Sequence, residues 1–469
     1  MSYDVGTVFI VMMENRSFDH MLGHLHASNP EIDGIRRDDP EWLAAHSNKH
    51  AGETYPLRQS RTPGEMLPGD PPHGRKAFEL QLGAGEPSAF ALDGFVANYA
   101  KAEERPRIDR AHPPAVMDWF DRDDVPVLSF LASQFRVCNR WHAALPAGTQ
   151  PNKLMAMGGS TLLDHNQKGL PNQRLVYDWL EDVGTPWRVY HDGMPFFAMM
   201  PNWAPVVGRD QPFRKFERFA ADLAAADPAS FPRVVFIEPC YTSNPQLGTA
   251  NDDHAPNGIA RGQAFLRKVY EAIAASPLWS RSVTVITYDE NGGFYDHVSP
   301  PAVVTDPPPG ANYQRFETLG VRVPAVIVSP YVRAGTVSNT LFDHTSILKL
   351  LGSLFGGQYG YEHPVNARPV GNAIDVLNNP GGRPAPRMPR ASAGNAFAAR
   401  EELAPAGGRV PGTLPSDDLE ISFQMALDEI RKTGDPEGKF SDLLAAFPPL
   451  TAGLPESPLS EVEAPVDFE

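Results

Sequence analysis

The chain has 469 residues, 42% of them hydrophobic and 10% aromatic, enough to build a substantial core. Its 48 prolines exclude a protein made mostly of long helices. A net charge of −16 excludes general nucleic-acid binding and electrostatic attachment to anionic lipid, since both need basic patches.

The first predicted element is the run TVFIVMM at residues 7–13, apolar and β-rich throughout, as in a strand buried on both faces. It is too short for a signal peptide or a membrane span, and no other stretch reaches about 18 apolar residues. The chain therefore reads as cytoplasmic as encoded, with export left to a specialised secretion system. His20 and His24, one helical turn apart just after this strand, are expected as hydrogen-bonded supports. A helix is predicted over 126–135, opened by Pro126. Two cysteines follow, Cys138 and Cys240; with no CxxC pair they offer neither a disulfide framework nor a thiolate zinc site, and both are expected as buried free thiols.

Further strand-like runs are WRVY at 187–190, VVFI at 234–237, VTVITY at 283–288 and VPAVIVS at 323–329. Residues 262–275 place Phe265, Leu266, Val269 and Ile273 on one helical face. The run after Asp343 does the same with Ile347, Leu348, Leu351 and Leu354, and stops at Gly356-Gly357. Strands alternating with helices predict an α/β fold, a largely parallel sheet covered by helices on both faces, with proline-rich loops at 52–75 and 300–310 packed over it. The apolar run at 194–203 reads equally as core or as the lining of a pocket.

Polar residues follow the strands directly: Glu14-Asn15, His191-Asp192, Glu238 and Asp289-Glu290. In an open α/β sheet the ligand site lies beyond the carboxyl ends of the strands, so these groups are expected to converge on one rim. Carboxylates from two strand ends and the Asn15 amide oxygen form a hard-oxygen set suited to a divalent cation. The segment LPAGTQPNKL at 145–154 lifts the Thr149 hydroxyl onto a turn before a helix; by spacing alone it is an N-cap, and it becomes a nucleophile only where a metal or base lowers the cost of its alkoxide.

The segments ENRSFDH, GTQPNK, NDDHAP, TYDENGGFYDHV and DHTSIL occur in an order and spacing that resemble the bacterial phosphoesterase family. That family includes phosphatidylcholine-hydrolysing phospholipases C, plant non-specific phospholipases C and related acid phosphatases. The resemblance runs over roughly residues 8–351. It implies an alkaline-phosphatase-like fold, with Glu14, Asn15, Asp289 and Glu290 as metal ligands and Thr149 as a nucleophile whose oxygen also touches the metal. His73, His191 and His254 match the family's active-site histidines, His73 as the acid and the other two on phosphoryl oxygens. Lys153, where the family usually has arginine, is expected near the site but outside the ligand set.

The implied reaction is metal-dependent cleavage of the glycerol-side phosphate ester of a phospholipid such as phosphatidylcholine, through a phosphothreonine. The alternative is a broad acid phosphatase or phosphodiesterase acting on small phosphate esters. All-oxygen ligation favours one calcium, magnesium or manganese ion, with zinc or iron compatible. The partner is then a phospholipid or another phosphate ester, with transient contact at a membrane surface and no nucleic acid. Residues 1–363 are expected to form the catalytic domain. Residues 364–469 are expected as a Pro/Gly-rich extension with one amphipathic helix at 417–432 and an acidic tail. Neither cysteine has the proline and arginine two and four residues on that a formylglycine sulfatase needs.

Overall fold

The computed structural model describes residues 3–389 except 62–66, 68, 103–106, 168, 204–211 and 243–249, together with residue 431. The helix expected at 417–432 and the acidic tail lie outside the described residues, apart from residue 431.

Eight strands form the central sheet: β1 (Thr7–Met13), β2 (Arg136–Cys138), β3 (Trp187–His191), β4 (Phe213–Lys215), β5 (Val234–Glu238), β6 (Ser282–Tyr288), β7 (Ala325–Val328) and β8 (Thr336–Ser338). Their spatial order is β8-β2-β7-β6-β1-β5-β3-β4, and β7 runs antiparallel to both neighbours while the other pairings are parallel. This is the largely parallel sheet expected from the sequence. β1 and β6 lie at its centre and every side chain of β6 is buried, which is why both read as unbroken apolar runs rather than alternating ones.

The main helices are α1 (Phe18–Leu22), α2 (Pro126–Gln134), α3 (Thr149–Gly158), α4 (Val176–Asp182), α5 (Ala260–Ala275) and α6 (Thr345–Phe355). α2 packs with α1 and α5, and α3 packs with α4 and α6. Alternate residues of β1 sort the two layers: Phe9 meets Phe219 edge-on on one face, while Ile10 and Met12 share a cavity with Ala156 of α3, Tyr177 of α4 and Ile347 of α6 on the other.

The register of the two central strands positions the chemistry. Thr7 pairs with Ser282 and Met13 with Tyr288, so the next residues, Glu14 and Asp289, leave the sheet side by side. On the other flank His191 pairs with Glu238 at the ends of β3 and β5. A second apolar cluster, including Tyr55, Phe78, Phe95 and Trp119, seats the loops between β1 and β2 and reaches Tyr295 beyond β6. Residues 364–389 join the main core through Val365, Ala373, Val376, Leu377 and Met388. Both cysteines are buried, and neither forms a disulfide among the described residues. Among the described residues no helix is long and apolar enough to cross a membrane.

Candidate active site

Glu14 and Asn15 follow β1, and Thr149 is the first residue of α3. The Thr149 hydroxyl lies 3.3 Å from Glu14 Oε2 and 3.2 Å from Asn15 Oδ1, fully buried with both of them. Asn15 holds its place in a left-handed backbone conformation (φ 56°), one of the few non-glycine types that tolerates it. Its N–H donates to Asp289 Oδ1 at 2.9 Å, tying the ends of β1 and β6 together. Gly292 has to be glycine here: its φ is 59°, and a Cβ would stand 2.1 Å from the Asn15 carbonyl oxygen.

Asp289 and Glu290 carry the carboxylates expected of a cation site. Asp289 Oδ1 also accepts the Glu290 N–H at 2.7 Å, and Glu290 Oε2 accepts the Gly292 N–H at 2.7 Å. Their remaining oxygens, Asp289 Oδ2 and Glu290 Oε1, are buried without a hydrogen-bond partner among the described residues. Burial raises the Glu14 carboxyl well above its ordinary range, and the Asp289 charge adds to that. Burial does the same to Glu290, with the neighbouring histidines opposing it. Buried carboxylate oxygens left unsatisfied at the meeting of two strand ends fit a hard divalent cation, which would supply the missing charge.

Two histidines join this cluster through Asn15. His73 Nδ1 donates to the Pro71 carbonyl at 2.7 Å, which leaves Nε2 as an acceptor 3.2 Å from Asn15 Nδ2. His254 Nε2 lies 2.8 Å from the same amide nitrogen and 3.3 Å from Asp70 Oδ2. The structure therefore brings Glu14, Asn15, His73, Thr149, His254, Asp289 and Glu290 together. His191 stands apart at the end of β3, bonded to the Gly193 carbonyl at 2.6 Å and, among the described residues, to none of those seven. Burial pushes its imidazole down from the ordinary value.

The Phosphoesterase family profile matches residues 5–357, most of the chain. The chain belongs to the phosphoesterase family. Relatives of this phosphoesterase include non-specific phospholipase C3 of Arabidopsis thaliana, 33% identical over 382 residues that cover 75% of this chain and 69% of that protein. Phospholipase C A of Mycobacterium tuberculosis is 29% identical over 407 residues, covering 75% and 73%. Among solved structures, the phosphonate monoester hydrolase of Agrobacterium radiobacter aligns at 12% identity and TM-score 0.31, over 60% of this chain and 78% of that one. As a family member the chain is a hydrolase of phosphate esters.

Several other groups surround the phosphoesterase site, some of them given no role by sequence reasoning. Lys153 Nζ stands 2.5 Å from Glu14 Oε1, as an ion pair rather than an aligned hydrogen bond. Its position four residues after Thr149, one turn along the same helix face, brings it to the same carboxylate. Arg16, buried and stacked over Phe294 at 4.5 Å, donates to the carbonyls of Asp253 and Asn257 and so anchors the loop that carries His254. His344 Nε2 bonds the Asp289 carbonyl at 2.5 Å, a support one step behind the carboxylates. His20 and His24 bond the Asp118 carbonyl at 2.7 Å and the Ser129 hydroxyl at 2.9 Å, the supporting roles expected of them.

Proposed function

We propose that this phosphoesterase is a phospholipase C-type enzyme that cleaves the glycerol-side phosphate ester of phospholipids such as phosphatidylcholine, with Thr149 as nucleophile at a site for one divalent cation. The observation that carries the reading is the Thr149 hydroxyl, 3.3 Å and 3.2 Å from Glu14 Oε2 and Asn15 Oδ1, at the start of a helix beside buried, unsatisfied carboxylate oxygens. The names of its plant and mycobacterial relatives support the choice of lipid.

Glu14, Asn15, Asp289 and Glu290 would hold the cation, with calcium, magnesium or manganese suiting the all-oxygen set. Bound there, it supplies positive charge for the phosphoryl oxygens and lowers the cost of ionising the threonine. In the first step Thr149 Oγ1 attacks phosphorus in line and gives its proton to Glu14 Oε2, 3.3 Å away. The P–O bond to glycerol breaks; His73, protonated on Nε2 and turned from Asn15 to the substrate, gives that proton to the departing oxygen, and diacylglycerol leaves with phosphocholine esterified to Thr149. His254 serves the phosphoryl oxygens in this reading; His191, which bonds the Gly193 carbonyl and, among the described residues, none of the seven clustered groups, is given no step. In the second step His73 takes a proton from water, which attacks phosphorus from the vacated side; the bond to Thr149 Oγ1 breaks, the proton held on Glu14 returns to that oxygen, and phosphocholine leaves.

The apolar run at 194–203 is core: Met194, Phe196, Phe197, Met199 and Met200 are buried. Phe196 and Phe197 also line the small cavity beside Lys153. Contact with a lipid surface is therefore not assigned to this run.

The test compares phosphatidylcholine with an aryl phosphate, with and without a chelator. Release of diacylglycerol, abolished by chelation and restored by calcium, magnesium or manganese, is expected. Hydrolysis of the aryl phosphate alone would make the enzyme a broad phosphatase, and chelator-resistant turnover would remove the cation.

A further inference from the structure

The Glu14 carboxylate is shared. Oε2 faces Thr149 at 3.3 Å and His254 Nδ1 at 3.9 Å, while Oε1 faces the Lys153 ammonium at 2.5 Å. The ammonium cannot swing away to water. Its side chain is 4% exposed, its Nζ donates to the Tyr241 hydroxyl at 3.3 Å, and the rings of Tyr241 and Phe196 lie 4.6 Å and 5.1 Å from it. Glu238, buried at the end of β5, adds a second negative charge on that side. A fixed positive charge therefore sits directly on one of the carboxylates assigned to the cation.

We propose that Lys153 is a built-in competitor of the divalent cation, neutralising Glu14 when the cation is away and weakening its binding when it arrives. This rests on the reading of Glu14, Asn15, Asp289 and Glu290 as the cation site. Like charges in a buried site repel with little screening, so the ammonium lowers cation affinity below what the buried carboxylates alone would give. The same pair keeps the buried Glu14 charge compensated in the metal-free protein, where an unpaired carboxylate would be costly. Lys153 is then a positioning residue that makes the cation exchangeable.

Manganese titrated into the full-length protein, followed by calorimetry and by electron paramagnetic resonance, tests this without any turnover. Lys153→Met and Lys153→Gln are expected to bind Mn²⁺ roughly tenfold or more tightly than the wild type, and Lys153→Arg, which keeps the charge, to bind about as the wild type does. Thermal melting gives a second readout: Mn²⁺ should raise the melting temperature of the Met and Gln variants by more than that of the wild type. A Met variant that folds only as Mn²⁺ is added gives the same result in its strongest form. Affinity unchanged or reduced in both neutral variants overturns the proposal, as does failure of both to fold at saturating Mn²⁺. A wild type that binds no Mn²⁺, Mg²⁺ or Ca²⁺ at all overturns the cation site itself and this inference with it.

Discussion

Asn15 and Thr149 are joined oxygen to oxygen, Oδ1 to hydroxyl at 3.2 Å, and the orientation of that one amide sets the polarity of the whole site. With Oδ1 toward the Thr149 hydroxyl, Nδ2 donates to His73 at 3.2 Å and His254 at 2.8 Å. Asn15→Asp keeps the oxygen but replaces both donors with an acceptor. It should cut kcat by about a hundredfold and shift the pH optimum upward, because a carboxylate beside both imidazoles favours their charged forms. A pH–rate profile of the variant, paired with NMR titration of the two imidazoles, checks both effects.

Gly292 is held against the Asn15 carbonyl, where a Cβ would come within 2.1 Å. Gly292→Ala must move the backbone that aligns the ends of β1 and β6. A loss of about 1–3 kcal/mol in urea unfolding is expected, with kcat/KM falling further than stability alone explains. Activity retained at wild-type level in the folded fraction would contradict that alignment role.

Asp289→Asn retains an oxygen for the N–H groups of Asn15 and Glu290, each bonded to Oδ1 in the wild type. It changes the unsatisfied Oδ2 into a donor. Fold and melting curve should survive, while divalent-cation content by elemental analysis drops at least about tenfold. Unchanged metal content would remove Asp289 from the ligand set.

Where a strand was buried on both faces, its apolar run was enough to find it, and the polar residues that follow β1 and β6 were legible for the same reason. β2, β4 and β8 were missed as strands because three residues carry no periodicity. The bonds from Asn15 to His73 and His254 span 58 and 239 positions, a separation that only the folded register brings together. Lys153 was expected near the site but outside the ligand set, yet its charge sits on Glu14, a proposed ligand, because α3 turns Thr149 and Lys153 toward the same carboxylate. His191 reached the expected rim through its pairing with Glu238, while the site centres on β1 and β6.

Away from the reacting groups, His297 pairs with Asp19 at 2.7 Å and Asp33 at 3.2 Å, beside the buried Arg322–Asp296 pair. Burial alone would lower its pKa, but the Asp19 charge and the hydrogen bonds to both carboxylates outweigh it and raise the imidazole from 6.5 to about 9. A pKa raised on folding gives stability that is complete below pH 6.5 and lost as pH climbs through about 9. Urea midpoints measured from pH 6.5 to 9.5 should fall, and His297→Gln should flatten that slope.

The nucleophile is the central claim. Acid quenching during turnover of phosphatidylcholine, followed by peptide mass spectrometry, should find phosphocholine esterified to Thr149, and Thr149→Ala should fold normally, carry no label and lose activity by on the order of a thousandfold or more. Label on another residue, or full turnover by Thr149→Ala, would contradict the account.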